Sequence, residues 1–179
     1  KDGVAVCGYH GWHDWYLSAN HNNTDNLSNH LLPGLEPLGV PKSLSNTVFP
    51  FQYNDYDGLV ELVNNNDIGV IKMEAMRNFK PKNDFLSKVR DLANKKNIVL
   101  IFDECTSGFR ETFGGIFKKF NVTPDLVMFG KTLGNGYAIT AVVGKKDVME
   151  VAQKTFISST FWTERIGPTA ALKTLEVMD

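Results

Sequence analysis

Cysteine is scarce. The 179 residues contain two, Cys7 and Cys105, far apart and in no CxxC pair, which argues against a disulfide framework and against a cysteine zinc site. Two isolated thiols fit a reducing, cytoplasmic setting. An excess of charge of either sign is also missing: 20 acidic residues face 19 Lys and Arg, for a net charge of −1, and no block of Lys and Arg occurs. Without a basic footprint, neither nucleic acid nor an anionic membrane surface is an expected partner. No apolar run approaches the roughly 20 residues of a spanning helix, and Lys1-Asp2-Gly3 lacks the apolar core of a signal peptide. The triplets beginning at Asn22, Asn26 and Asn121 fit a glycosylation pattern, but without a secretory signal they read as chance. No internal repeat and no low-complexity linker marks a domain boundary. What remains is a chain with 42% hydrophobic and 11% aromatic residues, enough for one soluble domain with a sizeable core.

Short β-rich runs alternate with helical patterns, which points to an α/β sheet with crossover connections. Val4 to Cys7, Ile68 to Met73, Ile98 to Phe102, Leu126 to Phe129 and Ala141 to Gly144 are apolar nearly throughout, as strands buried on both faces are. Asp84 to Lys96 places Phe85, Val89, Leu92 and Ala93 on one helical stripe, with Asp84 as the expected cap. Asp57 to Asn65 is a weaker helical pattern, and Asn20 to Asn29 reads as a solvated excursion. Ala170, Ala171, Leu172, Leu175 and Met178 recur at helical spacing. Residue 1 is not Met, strand character begins at Gly3, and the final helical pattern carries no cap, so an excerpt of a longer protein is expected.

The stretch Val99 to Glu104 is an apolar strand that ends in two carboxylates, Asp103 and Glu104. Ligands of open α/β sheets sit beyond the carboxyl ends of strands, where Asp103 would be aimed. A second strand ends in Gly130-Lys131, followed by a loop with Gly134, Asn135 and Gly136 that lets a ligand come close. Lys131 follows Asp103 by 28 positions, about one crossover unit, so neighbouring strands could bring both to one site. A strand-end lysine with a strand-end aspartate is what pyridoxal phosphate requires: the amine for a Schiff base and the carboxylate to keep the pyridine nitrogen protonated. Tyr9, within Gly8-Tyr9-His10-Gly11-Trp12-His13, could lie flat on such a ring.

Each feature also has a plainer reading. Alone, Lys131 would be a solvated surface lysine, Asp103 a strand-terminal turn residue, and Tyr9 core or rim packing. His10 and His13 have HxxH spacing but lack the glutamate and third ligand of a zinc site, so no metal is expected. Gly130-Lys131-Thr132 is no phosphate loop, because position 125 is Asp where a Gly is needed. Gly134-Asn135-Gly136 does not continue as a dinucleotide fingerprint, because position 139 is Ile. A non-catalytic or nucleotide-binding α/β domain therefore stands as the alternative.

Taken together, Tyr9-His10-Gly11, Phe102-Asp103-Glu104, Gly108-Phe109-Arg110, Pro124-Asp125, Gly130-Lys131 and Ser159-Thr160-Phe161 occur in the order of one known family. The chain resembles the class III pyridoxal-phosphate aminotransferases, particularly the branch around glutamate-1-semialdehyde aminomutase, over nearly its whole length. The resemblance implies a fold-type-I transferase, with this chain as the central part of a three-layer α/β/α large domain. The phosphate cradle and the small domain would lie in segments not present here, and the 179-residue piece alone is not expected to be a competent enzyme. By the same resemblance Lys131 is the catalytic Schiff-base lysine and Asp103 the partner of the pyridine nitrogen. Tyr9, with His10 beside it in the cofactor site, stacks on the ring, and Cys105 packs on the opposite face where the family more often has Val. Thr160 reaches the phosphate of a neighbouring subunit's cofactor, which implies a homodimer with shared active sites. The substrate would be a small amino or keto compound. Glu74 matches the family's strand-end glutamate, with Ala75 in place of the usual proline. Arg77 could meet an anionic substrate group, although a surface ion pair is its ordinary role.

Overall fold

The computed structural model describes residues 1–30 and 32–179. They form two compact units: residues 1–74 with 81–100, and residues 75–80 with 101–179. The units interleave along the chain, so no single linker could have marked the division in the sequence.

The first unit is built on three parallel strands in the order β2-β1-β3. β1 spans Gly3–Cys7, β2 Val48–Pro50 and β3 Ile68–Met73. Val4 pairs with both Val48 and Val70, and Cys7 pairs with Met73, which places a central strand between two neighbours. The consequence is complete burial of Ala5, Val6, Ile71 and Met73, as their unbroken apolar pattern requires. α1, Asp14–Leu17, follows β1 closely and buries Tyr16 against Val6, Leu27 and Val48. α2 runs Tyr56–Asn65 and α3 Phe85–Lys96. Asp55 caps α2 by accepting the Gly58 N–H at 3.0 Å, satisfying one of the amides that a helix start leaves unpaired. α3 buries Phe85, Leu86, Val89, Leu92 and Ala93, the stripe read from the sequence. It ends where Asn97 turns left-handed and the Ile98 N–H closes on the Ala93 carbonyl at 2.9 Å.

Asp84 is a correction. It holds the cap position of α3, but its side chain makes no capping hydrogen bond. Asn83 and Asp84 enter the helix at φ 51° and 58°, and the extended backbone that swings a cap oxygen over the first turn is therefore not adopted.

The second unit contains the carboxyl-terminal part of β4, Val99–Glu104, with β5, Leu126–Phe129, and β6, Ala141–Gly144. β4 and β5 are parallel, and β6 is antiparallel to β5. β6 was expected to be buried on both faces; instead Val142 and Val143 are about half exposed. β6 is the last strand in the sheet order and pairs along one side only, so its second edge and much of its surface stay open among the described residues. After α4, Lys146–Met149, the chain reaches α5, Ile166–Met178. Ala171, Leu175 and Met178 of α5 join Phe109, Val127, Phe129 and Leu133 in the core of this unit. A Cβ on Gly108 would lie 2.6 Å from the Phe129 ring and 2.8 Å from the Glu104 carbonyl, so only glycine fits there. No described helix is long and apolar enough to cross a membrane.

Candidate active site

In the second unit, the β4–β5 register puts Asp103 opposite Met128 and Glu104 opposite Phe129. The next two residues of the second strand are Gly130 and Lys131, so the two candidate groups leave the same end of a parallel pair. Asp103 is 7% exposed, and its Oδ1 accepts the Cys105 N–H at 3.2 Å, which turns the chain sharply after β4. Lys131 sits at φ 40°, a left-handed conformation uncommon for lysine, at the start of a single 3₁₀ turn, Lys131–Leu133. Its exposed ammonium donates to Thr106 Oγ1 at 3.1 Å. Cys105 lies against the backbone that carries the lysine: a Cβ on Gly130 would stand 3.2 Å from its Sγ. Asp103, Cys105 and Lys131 are thus brought together within one unit.

Thr106 had not been singled out in the sequence. It follows Asp103 by three residues in a loop without periodic pattern, and only the fold shows that its hydroxyl meets the lysine. Glu104 was seen as part of a carboxylate pair, yet nothing in the sequence distinguishes it from Asp103. In the structure it is fully buried and accepts from Ser107, Ile116 and Phe117. Thr160 stands on an exposed turn of the segment between α4 and α5, among the exposed side chains of Phe156, Ile157, Phe161 and Trp162. Arg77 is exposed in the same unit.

Tyr9, His10 and Glu74 belong to the first unit, just beyond the ends of β1 and β3. Tyr9 is half-buried, with Trp12 edge-on at 5.9 Å and Tyr16 at 6.4 Å. His10 is 4% exposed and donates from Nε2 to the Cys7 carbonyl at 3.2 Å, so its ring turns back on the strand end. Tyr16 donates to the Gly8 carbonyl at 2.8 Å, and the Gly8 N–H reaches His30 Nδ1 at 3.4 Å. Gly8 itself has φ 110°, and a Cβ there would stand 2.7 Å from Glu74 Oε2. The turn that presents Tyr9 therefore requires glycine twice over, for conformation and for space. Burial, with the Glu74 charge adding to it, pushes the Cys7 thiol up to about 12 and raises Tyr16 as well. The same unit also carries a polar cleft of about 520 Å³ lined by Asn22, Asn26, Asn46, Gln52 and Asn66, none of them among the sequence-predicted site residues.

Chemically, the second unit offers a nucleophilic amine and a buried carboxylate on adjacent strand ends, with a small thiol between their backbones. That donor set would suit a ring carbonyl compound with a basic nitrogen, the amine toward the carbonyl and the carboxylate toward the protonated nitrogen.

The family described as aminotransferase class-III matches residues 7–179. The chain is 40% identical to a 3-aminobutyryl-CoA aminotransferase of Cloacimonas acidaminovorans, over all of this chain and 41% of that protein. It is also 40% identical to a glutamate-1-semialdehyde 2,1-aminomutase of Sulfolobus acidocaldarius, over 96% of this chain and 41% of the relative. Among solved structures, an omega-transaminase from Sphaerobacter thermophilus superposes with a TM-score of 0.83 at 24% identity, over 100% of this chain and 44% of the other. The FumI protein of Sphingopyxis sp. MTA144, in a pyridoxal phosphate internal-aldimine form, gives 0.82 at 22% identity, over 99% and 41%. These two share the fold. The chain spans about two fifths of the length of the curated relatives it matches.

Proposed function

The chain belongs to the aminotransferase class-III family, and from that premise we propose that it is the central part of the large domain of a pyridoxal-phosphate-dependent enzyme that moves an amino group on a small amino or keto substrate. The observation that carries the reading is the parallel β4–β5 pair, which ends in the buried Asp103 on one strand and the exposed Lys131 on the other. When bound, pyridoxal phosphate supplies an electron-accepting ring that stabilises negative charge on a substrate carbon. Lys131 would hold it through Nζ, and the same Nζ, when free, would serve as the base that moves a proton at the substrate carbon. Thr106 Oγ1 gives the free ammonium a defined resting position. Asp103 holds the proton of the ring nitrogen, a task for which its burial suits it, because a low dielectric strengthens the attraction between carboxylate and cation.

Tyr9 supplies an aromatic face and Cys105 a small apolar one, with His10 bracing the turn from which Tyr9 projects. Glu74 and Arg77 contribute to substrate or cofactor contact. Thr160 from a second copy of the chain reaches the phosphate in a cytoplasmic homodimer, and segments outside residues 1–179 supply the phosphate cradle and the small domain. Amino transfer between molecules and amino migration within one molecule draw on the same residues, so the proposal is amino-group transfer as a class.

Two variants of the full-length protein test the reading. Lys131→Ala abolishes the borohydride-reducible link between protein and cofactor and lowers turnover by orders of magnitude. Asp103→Asn retains cofactor but slows proton removal from the substrate carbon, because an amide cannot hold the ring nitrogen protonated. Near-normal single-turnover rates in either variant would overturn it.

A further inference from the structure

The last residue of β4 has chemistry that the proposed function leaves unused. Glu104 is 0% exposed and directly follows Asp103. An ionised carboxylate taken out of water is costly unless hydrogen bonds replace its hydration. Three donors do so here. The Ser107 hydroxyl and the Ile116 N–H, the latter at 3.1 Å, reach Oε2, and the Phe117 N–H reaches Oε1 at 3.1 Å. All three neighbours are placed to donate, so they favour the ionised form over the acid. A Cβ on Gly115 would run into the Phe117 ring and stand 3.2 Å from Oε1, so glycine there leaves room for both side chains. Ile116 and Phe117 open a short 3₁₀ turn, Ile116–Phe120, whose first amides lack partners within the turn.

Two influences oppose the charge. Burial is the larger and the neighbouring Asp103 the smaller; together they raise the Glu104 carboxyl above its ordinary value, against the pull of its three donors. Among the described residues, the cations near it on its own loop and turn are engaged elsewhere. Lys118 donates to the Phe113 carbonyl, Lys119 pairs with Glu111, the Arg110 Nε donates to the Thr106 carbonyl, and Lys131 donates to the Thr106 hydroxyl. The fold therefore retains a second buried carboxylate at the same strand end.

We propose that Glu104 is a positioning residue for Asp103: its carboxylate ties the end of β4 to Ser107 and to the Ile116–Phe117 backbone, and its fixed negative charge adds to that of Asp103 in favouring a cationic heteroaromatic ring. The proposal rests on the functional reading above.

The test is a pH titration of the visible absorption of pyridoxal phosphate bound to the full-length protein. Removing the charge in Glu104→Gln lowers the midpoint by about half a pH unit or more, because one negative charge fewer lies near the protonated form. Glu104→Asp, which keeps the charge, restores the midpoint. A purely structural role would lower the melting temperature in both variants and leave the midpoint where it was. A folded, loaded Glu104→Gln protein with an unchanged midpoint overturns the proposal. Should Glu104→Gln not fold, infrared spectra of the unaltered full-length protein decide: ionised-carboxylate absorption alone at neutral pH supports the proposal, and a buried protonated carboxyl band refutes it. Absence of any cofactor band in the unaltered protein would refute the functional reading and this proposal together, whereas a normal band with an insensitive midpoint refutes only the role of Glu104.

Discussion

Replacing Gly8 with alanine tests the packing of the turn that presents Tyr9 in the first unit, and the structure sets the size of the effect. At φ 110° an L side chain is strained whatever the surrounding space, which costs roughly 1–2 kcal/mol. The new methyl group would also meet Glu74 Oε2 at 2.7 Å, with the Cγ and Cδ atoms of the same side chain at 3.2 and 3.3 Å. Glu74 is 8% exposed, so its carboxylate has little room to move away. Relaxation of the turn would in turn stretch the 2.8 Å hydrogen bond from Tyr16 to the Gly8 carbonyl, worth about 1 kcal/mol. Together these predict a loss of about 2–4 kcal/mol, in the upper range for a single substitution. Equilibrium urea unfolding of the full-length protein, followed by tryptophan fluorescence, measures it. A loss under about 0.5 kcal/mol, a size typical of surface changes, would refute the claim that Gly8 and Glu74 are packed as described.

Other outcomes follow from the same packing. Asp55→Ala removes the α2 cap on the Gly58 N–H and lowers stability by about 1 kcal/mol, read from the shift in urea midpoint. Cys7 stays unreactive toward thiol reagents well above pH 9, since burial and Glu74 hold its proton until about pH 12, while the half-buried Cys105 reacts first; equal modification rates would contradict this. Because the unfolded chain releases the Cys7 proton at its ordinary value near 9 and the folded chain holds it to about 12, stability falls as the pH rises through that window. Mixing Lys131→Ala and Thr160→Ala proteins under conditions of subunit exchange restores part of the activity if each site draws on two chains, and restores none if sites are built within one chain.

Much of the fold was legible because apolar runs announce themselves. Ile68–Met73, Leu126–Phe129 and Ala141–Gly144 are bounded in the structure where the sequence placed them. β2 escaped notice because three residues ending in Pro50 carry too little pattern. The burial of β6 was misjudged for a related reason: composition shows that a strand can be buried, whereas its place at the end of the sheet order decides how far it is. Asp84 failed as a cap because residue type predicts a cap only when the backbone turns the right way. That Asp103 and Lys131 leave the same end of neighbouring strands was readable from strand ends and spacing. The different circumstances of Asp103 and Glu104 were not, because the donors that bury Glu104 come from residues up to 13 positions away.

The central claim is that Lys131 holds the cofactor. The most direct measurement is borohydride reduction of the full-length protein with bound pyridoxal phosphate, followed by digestion and mass-spectrometric mapping of the modified lysine. A single stoichiometric label on Lys131, lost in Lys131→Ala, is the expected result. A stoichiometric label on any other lysine, or none on a protein that retains its activity, would contradict it.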